Sequence, residues 1–170
     1  ATEAQMHPEH EEAEGGEVRL LPIARDTEAE LANVLGLAAG ADLIVTIGGA
    51  SVGDHDLVGK VAGLEHSFWK LALRPGKPLM AGRLNGMPML GLPGNPVSAI
   101  VCGPLFLLPM VRAMLGDPAP VPQSHRATMT TDMPPNGPRA HYMRARLSHG
   151  DGLPGITPFD RQDSALLSIL

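Results

Sequence analysis

The chain has 170 residues, 44% of them hydrophobic and 18% charged, so it is long and apolar enough to bury a core, and disorder throughout is excluded. Aromatic residues make up 3% while glycine (20) and proline (17) exceed a fifth of the chain, which predicts an aliphatic core cut by many turns and excludes base stacking on aromatic platforms. Of the net charge of −5, six negative charges are the glutamates at positions 3, 9, 11, 12, 14 and 17, so the rest of the chain is close to neutral. A near-neutral body argues against a large nucleic-acid footprint and leaves room for a small basic pocket. Cys102 stands alone and forms no intramolecular disulfide, consistent with a reducing, cytoplasmic setting, and the first residues do not resemble a signal peptide.

In chain order, residues 1–16 form an acidic lead, read as a solvated or disordered terminus rather than a metal tract built on His7 and His10. Residues 17–23 read as a short strand. Asp26 or Thr27 then caps a helix running to Ala39, with Thr27 and Glu30 at capping-box spacing. Residues 42–47 are an aliphatic, β-branched run suited to a strand buried on both faces, so the unit is βαβ and the sheet is expected to be mostly parallel. A glycine-rich loop over 48–56 leads to a further helix near 56–64. Strands are predicted at 68–73 and 79–84, the second turning through Asn85-Gly86 into a third at 87–92. Residues 97–111 carry no charge, but Pro104, Pro109 and Arg112 make a kinked core helix the better reading than a membrane span. The proline-rich stretch 117–122 is the boundary between an α/β domain (17–116) and a small β module (123–170), which looks cut short.

Three segments carry the chemistry. The loop Gly48-Gly49-Ala-Ser51-Val-Gly53-Asp54-His55-Asp56 follows a strand and opens a helix, where free backbone N–H groups make an anion site. Asp54 and Asp56 either favour the helix dipole or hold a hard cation such as Mg²⁺. Two of only three lysines, Lys70 and Lys77, flank Arg74 in Phe-Trp-Lys-Leu-Ala-Leu-Arg-Pro-Gly-Lys-Pro, a choice of compact cations that fits contact with an oxyanion. Gly-Leu-Pro-Gly94-Asn95-Pro-Val-Ser98 is a rigid turn ending in a capping serine, Ser98, before the core helix. Ser51 also sits in a Gly-x-Ser-x-Gly pattern, so a serine hydrolase using Asp117 or Asp132 and His141 or His149 is an alternative.

In this order and spacing, the three segments resemble the molybdopterin molybdenumtransferase family, the MoeA proteins related to the gephyrin E domain. Tyr142-Met-Arg144 and Gln162-Asp-Ser164 resemble the same family's small C-terminal β-barrel. The resemblance implies a three-layer, MogA-like molybdopterin-binding α/β domain followed by a partial β-barrel. It implies insertion of molybdenum from molybdate into adenylylated molybdopterin, with Mg²⁺ and release of AMP, in a homodimer with no membrane or nucleic-acid partner. By resemblance, Asp26, Asp56, Lys70 and Arg74 match active-site positions, with arginine at 74 where a lysine is expected. Gly48, Gly49, Ser51, Gly53, Lys77, Gly94, Asn95, Ser98, Arg144 and Ser164 are assigned to the ligand, and Asp54 or Asp56 to the metal. The family's Thr-Gly-Asp-Glu-Leu motif does not precede these segments, so the chain is expected to be a fragment of a longer parent. A non-catalytic scaffold of gephyrin type is the remaining alternative.

Overall fold

The computed structural model describes residues 14–25, 27–48, 63–69 and 71–162. Helix α1 (Glu28–Gly36) starts where the sequence places it: Thr27 is extended at the N-cap and its side chain accepts the Glu30 N–H at 3.3 Å. Glu28 and Glu30 favour the positive end of the helix dipole. The regular helix stops at Gly36 and tighter turns continue to Gly40, whose φ of +81° suits glycine. Leu31, Leu35 and Ala38 are buried.

Strands β1 (Ile44–Ile47), β2 (Leu64–Trp69), β4 (Met80–Leu84) and β5 (Met87–Leu92) form one sheet in the order β1-β5-β4-β2. A two-residue strand, β3 (Leu73–Arg74), lies outside it. β1 and β5 are parallel, whereas β4 pairs antiparallel with both β5 and β2. The described sheet is thus mixed, with a smaller parallel share than expected. The β4–β5 hairpin turns through Asn85 (φ +49°) and Gly86 (φ +86°), the two left-handed residues that a tight hairpin of this twist requires.

Two sequence expectations fail here for physical reasons. Residues 17–23 are not a strand: Leu20 and Ile23 are exposed and only Leu21 and Ala24 pack on the core, while Pro22 offers no N–H to a ladder. The strand expected at 68–73 runs instead over Leu64–Trp69, because its partner β4 holds it in register, Leu64 against Leu84 and Trp69 against Met80. The helix near 56–64 falls outside the described residues up to 62, and Leu64 opens β2. Neither antiparallel pairing of residues 18–23 with 42–47 nor a helical tail occurs among the described residues.

Side chains of the sheet go to two sides. Ile44, Met80, Leu84 and Met89 pack with Leu31, Leu35 and Ala38 of the α1 layer. Leu79, Leu90 and Leu92 pack with Ala99, Cys102 and Leu107 of a long helix on the opposite face. This makes three layers, as expected. The long helix comprises α2 (Pro96–Cys102), a π turn (Gly103–Leu107) and α3 (Leu108–Met114). Pro104 has no N–H for the normal ladder, and the Leu108 N–H reaches back five residues to the Gly103 carbonyl, so the irregularity sits where proline demands it. At 19 residues and a mean hydropathy of 1.8, the helix is long and apolar enough to cross a membrane. One face of it packs on the sheet through Ala99, Cys102 and Leu107, and 33% of its apolar stretch is buried.

Arg112, near the end of this helix, is held by Glu14 through two hydrogen bonds, Nε to Oε2 at 2.7 Å and Nη2 to Oε1. The acidic lead is therefore docked at least at Glu14. The hydrogen bond from Arg112 holds the Glu14 carboxyl below the usual glutamate range; burial opposes it, and the charge of Arg112 adds a smaller lowering. A group with a depressed folded pKa contributes stability above its unfolded pKa and loses it as pH falls through the folded value. Glu14→Gln should accordingly melt slightly lower than wild type at neutral pH. The difference should close in acid, and a difference that persists there would show that the ionised carboxylate is not its source.

Beyond residue 122 the chain forms short strands: β6 (Thr128–Met129), β7 (Ala140–His141), β8 (Ala145–Ser148) and β9 (Gly155–Pro158). β9 lies between β6 and β8, parallel to the first and antiparallel to the second. β7 stays out of this sheet and pairs with β3 instead.

Candidate functional site

Strand register places the three chemical segments on one edge of the main sheet. Ile47, the last residue of β1, pairs with Leu92, the last of β5; Gly91 pairs with Met80, the first of β4; and Met80 pairs with Trp69, the last of β2. The chain leaving β1 at Gly48, the chain leaving β5 at Pro93 and the connection from β2 to β4 therefore all emerge at the same edge. Ligands of α/β sheets bind at such an edge, beyond the carboxyl ends of parallel strands.

The chain at Gly48 touches the turn at Gly94. The Gly48 N–H donates to the Leu92 carbonyl at 3.0 Å and Gly48 has a φ of +82°. A Cβ on Gly94 would lie 3.1 Å from the Gly48 Cα, so glycine at both positions is what lets the two backbones cross. Asn95 caps α2: its Oδ1 accepts the Ser98 N–H at 3.1 Å and the Ser98 hydroxyl at 3.3 Å. The capping residue is thus Asn95 and not Ser98, a correction with a simple cause. Pro96 occupies the first helical position, so the cap must precede it and Ser98 falls within the first turn. The Ser98 side chain, 7% exposed, is committed to that cap.

Residues 71–79, within and after the lysine-bearing segment, form a tight loop. Leu71 N–H donates to the Lys77 carbonyl at 3.2 Å and Leu79 N–H to the Gly76 carbonyl at 3.0 Å. Gly76 has a φ of +114°, and a Cβ there would lie 2.5 Å from Leu73 Cδ1 and 2.6 Å from Cys102 Sγ, so the loop is pressed onto α2. The Arg74–Pro75 peptide is cis. Burial pushes the Cys102 thiol up to about 11, which makes it an inert core group.

Arg74 faces the C-terminal module. Its Nη2 donates to Asn136 Oδ1 at 3.4 Å, and Arg74 pairs in register with His141 across the parallel β3–β7 ladder. Burial, together with the positive charges of Arg74 and Arg139, holds the His141 imidazole below its usual range. Arg144 follows three residues after β7. Its N–H donates to Gln162 Oε1 at 3.0 Å, and Gln162 Nε2 donates to the carbonyls of Arg144 at 2.8 Å and Phe159 at 2.9 Å. Gln162 therefore fixes the backbone that carries Arg144.

Of the candidate residues, Gly48, Arg74, Lys77, Gly94, Asn95, Ser98 and Arg144 lie within the described structure, and Asp26, Gly49, Ser51, Gly53, Asp54, Asp56, Lys70 and Ser164 lie outside it. Ser51 of the hydrolase alternative is thus among the undescribed residues. Among the described residues no group of three or more His, Cys, Asp or Glu side chains could hold a metal ion, and the two carboxylates assigned to Mg²⁺ are not among them. Sequence reasoning missed Asn136, Arg139 and the supporting role of Gln162. Their only signal was position, a Gly-Pro turn beside two of them and the Gln-Asp-Ser motif holding the third.

Layering, register and crossed glycine turns define the class: an α/β domain with three connections meeting at one sheet edge, followed by a β module. Residues 2–113 match the family model described as a probable molybdopterin binding domain, and residues 126–170 match the MoeA C-terminal region (domain IV). The chain belongs to the MoeA family. Among curated proteins it is 35% identical over 147 residues to molybdopterin molybdenumtransferase 2 of Mycobacterium tuberculosis (strain CDC 1551 / Oshkosh), covering 81% of this chain and 36% of that protein. It is 32% identical over 132 residues to the molybdopterin molybdenumtransferase of Bacillus subtilis (strain 168), covering 76% and 31%. The crystal structure of the molybdopterin biosynthesis MoeA protein from Pyrococcus horikosii superposes with a TM-score of 0.58 at 25% identity, over 81% of this chain and 33% of that one. The chain spans about a third of the length of these relatives.

Proposed function

We propose that this chain forms the molybdopterin-binding part of a molybdopterin molybdenumtransferase, which inserts molybdenum from molybdate into adenylylated molybdopterin with release of AMP. The observation that carries the reading is the convergence of the three segments on one sheet edge in a MoeA-family chain. Backbone N–H groups of Gly49, Ser51 and Gly53 would face the anionic ligand, with Gly48 and the Gly94–Ser98 turn, whose Gly48 and Ser98 N–H groups are already bonded, giving the ligand close approach to the backbone. Lys70, Arg74 and Lys77 would neutralise its phosphate and the molybdate oxyanion. Asp54 or Asp56 would hold Mg²⁺, which offsets the repulsion between these carboxylates and the phosphate. Asp26, Arg144 and Ser164 would complete the pocket. We further propose a homodimer in the cytoplasm, acting without nucleic acid or membrane. No observation among the described residues favours the serine hydrolase or the scaffold.

Calorimetry with AMP and with a pterin phosphate, each with Mg²⁺, tests this reading. Both should bind, and Asp56→Ala should weaken the Mg²⁺-dependent part of the affinity. Absence of binding by wild type, or affinity indifferent both to Mg²⁺ and to Asp56→Ala, would overturn it.

A further inference from the structure

The cationic segment is not held by its own domain alone. β3 carries Arg74 and takes no part in the main sheet; its strand partner is β7 of the C-terminal module. The Ala140 N–H donates to the Ala72 carbonyl at 2.8 Å and the Tyr142 N–H to the Arg74 carbonyl at 2.9 Å, so the module grips the backbone on either side of Leu73. Asn136 adds a side-chain hold. Its Oδ1 accepts from Arg74 Nη2 at 3.4 Å while its Nδ2 donates to the Arg139 carbonyl at 2.9 Å, which sets the orientation of the amide so that oxygen faces the guanidinium. Leu73 is buried, and the loop is closed by the Leu71–Lys77 hydrogen bond, so a shift of β3 would move residues 71–77 as a unit.

We infer that β7 is a positioning strand and Asn136 a positioning residue: together they set where Arg74, and the loop that ends at Lys77, present their charges. The ligand part of this inference rests on the function proposed above. It makes the β module part of the anion-binding apparatus even where none of its side chains touches the ligand, because charges on long side chains bind an oxyanion well only when their backbone is fixed.

Two variants of the full chain test it. Ala140→Pro removes the donor to Ala72, and hydrogen exchange should speed up about tenfold or more at the amides of residues 71–77 while those of β4 and β5 keep their protection. Asn136→Ala removes a hydrogen bond to a charged group and should weaken AMP binding about threefold to tenfold, with no further loss in an Arg74→Ala background and near-complete recovery in Asn136→Asp, which keeps an acceptor oxygen. Unchanged exchange at 71–77 in Ala140→Pro would overturn the role of the strand. If that variant loses protection throughout, the Asn136 comparison decides alone, and an equal loss with and without Arg74 overturns the inference. Should wild type fail to bind AMP or pterin phosphate, the ligand reading falls, and exchange over residues 71–77 in Ala140→Pro and Asn136→Ala still decides whether the module positions the loop.

Discussion

Gly82→Ala should lower the unfolding free energy by about 3 kcal/mol, read as a clear drop in the urea midpoint with little change in slope. Gly82 lies in β4 opposite His66, at the point where β2 carries an extra residue: His66 pairs with Gly82 but Phe68 pairs with Ala81, leaving Ser67 as a bulge. A Cβ at Gly82 would collide with the Glu65 carbonyl oxygen and lie 3.3 Å from the His66 Cα. Both are backbone atoms, so no side chain can rotate away. Relief requires the strands to part, which strains the β2–β4 ladder and shifts Met80 and Leu84, both core residues, on the same strand. Because β2 leads directly into the cationic segment, the variant should also weaken ligand binding. A Gly82→Ala protein as stable as wild type would show that the bulge is not seated over this residue.

Lys70→Ala should weaken binding of AMP or pterin phosphate by roughly 100-fold, since removing a charged contact to a bound oxyanion costs a few kcal/mol. In sequence the residue stands between Trp69, the last of β2, and Leu71, whose N–H donates to the Lys77 carbonyl. Arg74→Ala should act in the same direction, and Arg74→Lys should retain most of the affinity if charge matters more than the fork geometry of guanidinium. The slope of affinity against salt should fall in each alanine variant, because one fewer charge is then neutralised. If neither alanine variant changes affinity by even threefold, these residues do not face the anion.

Legibility followed the range of the interactions. Thr27 and Glu30 announce a cap because both partners are three residues apart, and Asn85-Gly86 announces a hairpin because only such residues adopt its dihedral angles; both are found as read. The break in the core helix was legible from its prolines, and the turns after β5 and around Gly76 from their glycines and prolines. The capping serine was misread by one short-range detail, the position of Pro96.

What the amino-acid order determined by itself was therefore local: caps, turns, the aliphatic core, the motifs of the MoeA family and the residue types that an anionic ligand needs. Tertiary structure decided the rest. An apolar, β-branched run is equally content in parallel or antiparallel pairing, so only the packed sheet could show β1 beside β5 and the mixed order that brings three loops to one edge. Residues 17–23 have strand-like composition yet remain irregular, because strand formation needs a partner with free ladder groups and that partner is supplied by topology, not by propensity. The β3–β7 pairing joins residues about 67 positions apart through backbone groups that every amino acid carries, and for that reason no motif in the sequence could have announced it.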